Sequence, residues 1–114
     1  MKGKRVILEM GSGNDLHGGD YTKAAVRAVE DAIHHSSLTY IRTLGVDPRM
    51  MQVAVTIAVQ RPEKVDAEVV KAALPHGQVI VNVVKGGLDV PDEEVGDVAV
   101  IASAAVAVRL EPAK

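Results

Sequence analysis

At 114 residues and 12.0 kDa the chain has room for one domain and not for two ordinary ones. Apolar residues at 47% and charged residues at 25% are the balance of a folded protein, and a net charge of −2 lacks the basic surplus of a duplex-binding domain. The aromatic residues are Tyr21 and Tyr40 alone, which removes the platforms that stack single-stranded bases, and the lack of cysteine removes disulfides, thiolate metal sites and cysteine nucleophiles.

A core of Val, Ala, Ile and Leu gains less area per side chain than one with rings, so self-association is the expected remedy for a chain of this size. Near the N-terminus, Lys2, Lys4 and Arg5 precede only Val6-Ile7-Leu8 before Glu9, too short for a secretory segment of roughly 7–15 apolar residues. The longest apolar run, 98–108, falls short of the ~20 residues that cross a bilayer. A cytoplasmic protein with no nucleic-acid or membrane partner is expected.

Residues 4–10 read as a first strand, ended by a glycine-rich loop from Gly11 to Gly19. A helix is predicted from Asp20–Thr22, either residue being able to cap its first turn, with apolar positions Ala25, Val26, Val29, Ala32, Ile33, Tyr40, Ile41 and Leu44. Gly45 and Pro48 stop it, and Ser36-Ser37 marks a weak point within it. Residues 50–60 form a β-branched strand. A second helix opens at Pro62, carries Val65, Val69, Val70 and Ala73 at helical spacing, and closes at Pro75 and Gly77. Residues 78–84 alternate as a third strand, and Lys85-Gly86-Gly87 turns into an acidic connection, 88–97, with room for a short strand. Residues 98–110 form a last strand, apolar on both faces and therefore central in the sheet or at a subunit interface. The order β-α-β-α-β-β predicts an α+β fold: a single domain with a mixed four- to five-stranded sheet and two helices on one face.

The Gly11–Gly19 loop carries the functional signal. Glycines between a strand and a helix let backbone N–H groups converge at a helix N-terminus, which suits an anion. The dinucleotide fingerprint fails at Leu16 and the P-loop fails at Gly19, where lysine is required. Asp15, His17 and Asp20 offer mixed oxygen and nitrogen ligands for a divalent transition metal. Alternatively, Asp15 and His17 bond the loop backbone and the glycines only permit the turn.

The spacing Gly11-x-Gly13-x-Asp15-x-His17-Gly18 resembles the GxGxDxHG motif of a small family of conserved hypothetical proteins found in bacteria and plants. That resemblance covers the whole chain and implies these five as signature positions, without implying a reaction. The element order is also similar to the chorismate mutase-like fold, which implies a trimer or higher oligomer with clefts between subunits.

Further candidates are weaker. Glu30/His34 and Asp31/His35 are four apart on the first helix, where each pair can meet as a surface pair. Ser103 in the last strand, with Lys85 in the preceding turn, invites a Ser–Lys hydrolase, and the chain resembles one unit of the ring-opening amidohydrolases. His76 lies in a loop with no evident partner. Asp89, Asp92, Glu93, Glu94 and Asp97 form an acidic run that reads as a solubilising surface.

Together these predict a small polar metabolite in a cleft floored by the loop. His17 would be the proton-transfer residue and Asp15 its orienter. Gly11, Gly13, Gly18, Gly19, Asp20 and Tyr21 would contact the ligand, and Lys85 would neutralise an anionic group. The rival expectations are a non-catalytic assembly protein and a metal-dependent or Ser–Lys hydrolase.

Overall fold

The computed structural model describes residues 3–34, 45, 47–74 and 77–110. Five strands and two helices follow in the order β1 (Lys4–Asp15), α1 (Tyr21–His34), β2 (Gln52–Val59), α2 (Ala67–Ala72), β3 (Gln78–Lys85), β4 (Leu88–Asp92) and β5 (Asp97–Leu110), with 3-10 turns at Pro48–Met50 and Pro62–Lys64. The predicted α+β class, its element order and the mixed sheet are all found.

β5 is the centre of the sheet. One of its edges pairs antiparallel with β1 over the full length, from Lys4↔Leu110 to Asp15↔Val100. Along its other edge β2 and β4 lie end to end, β2 opposite Ser103–Arg109 and β4 opposite Asp97–Ile101. β3 closes that side, parallel to β2. Helices over one face account for the alternate buried residues of β5, Val100 to Val108, while Ala99, Ile101, Ala105 and Ala107 make its other face apolar as well.

One face of the sheet carries the helices. Val53, Val55, Ile57 and Val59 of β2 and Val100, Ala102, Ala104, Val106 and Val108 of β5 are buried under them. α1 contributes Ala24, Ala25, Ala28, Val29 and Ala32, and α2 contributes Val70. The opposite face has no covering element among the described residues. It presents Leu8, Met10, Ile80, Val84, Leu88 and Val90 to solvent.

Two predicted boundaries change. β1 does not end at residue 10 but continues through Gly11 and Gly13 to Asp15. A Cβ on Gly11 would stand 2.4 Å from Ala32 N, and one on Gly13 would stand 2.3 Å from Ala28 N. The two glycines are gaps in a strand, onto which the backbone of α1 sits directly, with Ala24, Ala28 and Ala32 keeping the helix side equally flat. The second helix does not run from Pro62. Val65 is extended, and the Asp66 carboxylate accepts from Glu68 N and Val69 N, so α2 starts at Ala67 after a separate 3-10 turn. The acidic connection does contain a strand, β4. The helix proposed to reach residue 44 is seen to His34, and its continuation, with Ser36-Ser37 and Tyr40, lies outside the described residues.

α1 also protects the exposed edge of β1. Ser12 N–H, which points away from β5, donates to the Asp31 carboxylate at 2.9 Å, and Arg27 Nη1 donates to Asn14 O at 2.7 Å. Satisfied edge groups cannot template another strand. Asp31 thus has a backbone partner, while its predicted partner His35 lies outside the described residues.

Candidate functional site

The end of β1, the start of β5 and β4 come together at one end of the sheet, and the 16–20 segment passes over them into α1. Gly18 and Gly19, with φ of 92° and 61°, turn the chain where a side chain would be strained. Asp20 then caps the helix, its Oδ1 accepting from Lys23 N at 3.0 Å.

Asp15 and His17 do not share a site. Asp15 is 4% exposed, and its Oδ2 accepts from Asp20 N at 2.9 Å. Its Oδ1 lies 3.8 Å from Lys23 Nζ and 3.7 Å from Arg27 Nη1. It fastens the end of β1 to the first two turns of α1. His17 has a side chain 87% exposed and meets Asp97, 80 residues away, with Nδ1 3.1 Å from Oδ2. The other Asp97 oxygen accepts from Gly18 N at 2.9 Å and Val98 N at 2.8 Å. These two backbone donors, and then His17, hold the Asp97 carboxyl below its ordinary pKa. In the neutral imidazole, Nδ1–H donating to the carboxylate leaves Nε2 as the acceptor, the arrangement of an oriented base.

Beside His17 opens a cleft of about 610 Å³, lined by the carboxylates Asp92, Glu93, Glu94 and Asp97 and by the apolar Val90 and Ala99. Four carboxylates make it strongly acidic. The acidic run read as a solubilising surface therefore includes residues with specific partners. Asp97 holds His17, and Asp89 accepts the phenol proton of Tyr21. No local pattern announces either pairing, because the partners are 80 and 68 residues apart.

Tyr21 is buried, with its hydroxyl on Asp89 Oδ2, while Asp89 Oδ1 is a buried acceptor with no hydrogen bond among the described residues. Burial first, then the Asp89 hydrogen bond and charge, raise the Tyr21 pKa above its ordinary value of about 10. The folded state binds the phenol proton more tightly than the unfolded one. Its contribution is complete below pH 10 and falls as pH climbs from there toward the raised value. Chemical denaturation at pH 9 and pH 11 is expected to show this loss in the wild type and a smaller one in Tyr21→Phe. Equal losses in the two proteins would remove Tyr21 as the source.

The remaining predicted positions are dispersed. The space beside Gly11 and Gly13 is filled by α1, so close packing accounts for these glycines without a ligand. Lys85 ends β3, three strand positions from β1, roughly 14 Å across the sheet. It has the parity of the helix-facing Val79, Val81 and Val83, whereas Ser103 is exposed on the opposite face. A Ser–Lys pair is not assembled. Among the described residues no group of three or more His, Asp or Glu converges as metal ligands, so Asp15, His17 and Asp20 are not gathered round one point. Glu30 and His34 are both exposed on α1, and His76 lies outside the described residues.

A family model for conserved hypothetical proteins, the Lin0512 family, matches residues 5–108. The chain belongs to that family. Among solved structures, it is similar to the crystal structure of an FtsZ-like protein of unknown function from Nostoc punctiforme. The two are 41% identical, with 96% of this chain and 97% of that one covered and a TM-score of 0.83. No curated protein matches the chain. The expected membership in a conserved family of hypothetical proteins is met, and it brings no reaction with it. Among the described residues no helix is long and apolar enough to cross a membrane.

Proposed function

We propose that this Lin0512-family chain is a non-catalytic, self-associating protein whose open sheet face is its interface, acting in the cytoplasm. One observation carries the reading. Leu8, Met10, Ile80, Val84, Leu88 and Val90, each at least 44% exposed, share one side of a sheet whose other side carries both helices. Large contiguous apolar patches are rare on monomers and mark interaction surfaces. The scarcity of aromatics points the same way, because a core built from Val and Ala leaves stability to be gained by further burial.

Ala105 stands in the middle of this face, between Met10 of β1 and Thr56 of β2. Ala105→Arg is expected to reduce the oligomer to a 12.0 kDa monomer in sedimentation equilibrium, with an unchanged circular dichroism spectrum. A wild-type chain that sediments as a monomer up to ~100 μM, ample for a micromolar dissociation constant, would overturn the reading.

A second reading, a small polar ligand bound beside His17 with acid–base chemistry, is favoured by the His17–Asp97 pair that lines the cleft. A metabolite that raises the melting temperature of the wild type and not of His17→Ala would support it over the first.

A further inference from the structure

The open face has a charge pattern that goes beyond apolar exposure. Between its two ends it carries only apolar and uncharged polar residues, among them Leu8, Met10, Ala105, Thr56 and Ile80. At one end Arg5 stands directly opposite Arg109 across the β1–β5 ladder. At the other, Asp92 stands directly opposite Asp97 across the β4–β5 ladder, with Glu93 and Glu94 in the adjoining turn. Like charges facing each other across a strand pair destabilise a sheet. Here there are two such pairs, of opposite sign, at opposite ends of one face; within the chain Arg109 Nη1 donates to Gly3 O, and Asp97 accepts from Gly18 N and Val98 N. The two pairs lie twelve residues apart on β5, roughly 40 Å.

We propose that a second copy of this chain packs on the open face about a two-fold axis running across the strands near Ser103. The strands of the two sheets are then antiparallel; Arg109 of each copy faces Asp97 in the cleft of the other, and Arg5 faces the Leu16–His17 side of the same cleft. This orientation rests on the self-association reading above and adds its geometry. Ser103 is midway between Asp97 and Arg109, so one rotation satisfies both charged ends at once, as a closed two-fold interface requires.

The side-chain sizes along the second edge of β5 fit the same rotation. Leu88 is opposite Ile101, two residues on one side of Ser103, and Thr56 is opposite Ala105, two residues on the other. Val90 opposite Ala99 and Ala54 opposite Ala107 are each four away. Rotation therefore brings Leu88 and Val90 of one copy over Thr56 and Ala54 of the other, large on small. Across sheets packed ~10 Å apart, that is how side chains interdigitate. The strands of the face cover roughly 700 Å², at ~3.3 Å per residue and ~4.8 Å between strands, close to the ~800 Å² per partner of a standard stable interface. The open cleft beside His17 is then occupied by the guanidinium groups of the second copy.

Charge exchange tests the arrangement. Arg5→Glu/Arg109→Glu makes both ends of the face acidic, and Asp92→Lys/Glu93→Lys/Glu94→Lys makes both ends basic. Each variant alone is expected to self-associate at least ~10-fold more weakly than the wild type in analytical ultracentrifugation. An equimolar mixture is expected to form a heterodimer, seen by native mass spectrometry with one variant isotopically labelled. Variants that dimerise like the wild type, or a mixture that stays monomeric while both are folded, would overturn the antiparallel pairing. If that happens while Ala105→Arg still yields a monomer, the face is an interface and this orientation alone is wrong. If the wild type is itself monomeric, both readings fall.

Discussion

Gly13→Ala is expected to lower the melting temperature by about 10–15 °C, although it adds a single methyl group at a position within a strand. The new Cβ would stand 2.3 Å from Ala28 N and 2.5 Å from Ala24 O, both backbone atoms of α1. No rotamer change relieves such a contact, so the helix as a whole has to lift from the sheet. Overpacking that moves backbone costs about 3 kcal/mol, and each kcal/mol is worth roughly 4 °C in a domain of this size. Lifting α1 would also pull Asp31 and Arg27 away from the edge of β1, exposing Ser12 N–H and Asn14 O. Thermal melts of Gly13→Ala and of Ser12→Ala, whose side chain is exposed, make the comparison. A Gly13→Ala protein within ~2 °C of the wild type, less than a kcal/mol of overpacking would produce, would mean that α1 does not sit on this glycine.

Asp15→Ala is the second large effect, about 2 kcal/mol or ~8 °C. The substitution removes the acceptor of Asp20 N and the carboxylate that faces Lys23 and Arg27. Asp15→Asn keeps an oxygen for Asp20 N and loses the charge, so about half the loss is expected. Because Lys23 and Arg27 are about half exposed, the ionic part is screened, and the gap between wild type and Asp15→Asn should narrow in 0.5 M salt. The measurement is chemical denaturation at low and high ionic strength. Equal stability of all three proteins would show that the buried carboxylate does not fasten α1 to β1.

These two residues also mark what is legible in the sequence. Periodicity identifies the elements well. The apolar run of β5, interrupted only at Ser103, announces a strand apolar on both faces, and the alternation of β2 and β3 announces strands with one covered face. Gly11 and Gly13 are the opposite case. Glycine is the residue of a turn and equally the residue of a strand that another backbone approaches closely, and the residues around the glycines do not separate the two. The signal that does is the companion set Ala24, Ala28 and Ala32, small residues at helical spacing that match the glycines from the other side.

The same local view groups Asp15 with His17 because they are two residues apart. In the fold the strand ends between them and each turns to a different partner. Asp97 and Asp89 belong to the neighbourhood of the 16–20 segment only through the return of β4 and β5, which no short-range pattern encodes. The open face was written more plainly. In β1, Ile7 faces the helices while Leu8 and Met10 are apolar on the other side, where a sheet bathed in water would carry polar residues.

The position of β5 also governs the order in which the molecule can be built. It is the last of the five strands along the chain, yet it is the one that β1, β2 and β4 all pair with. β1, made first, finds its partner 106 residues later, at Lys4↔Leu110. Until that partner arrives, β1 has no neighbour in the sheet, and α1 has half a surface to lie on. Such distant pairing makes folding slow, because the chain entropy is spent before the contacts return it. During that interval Val6, Ile7, Leu8 and Met10 form an unpaired, strongly apolar segment. The period of greatest vulnerability to misassociation is therefore the wait for the last strand.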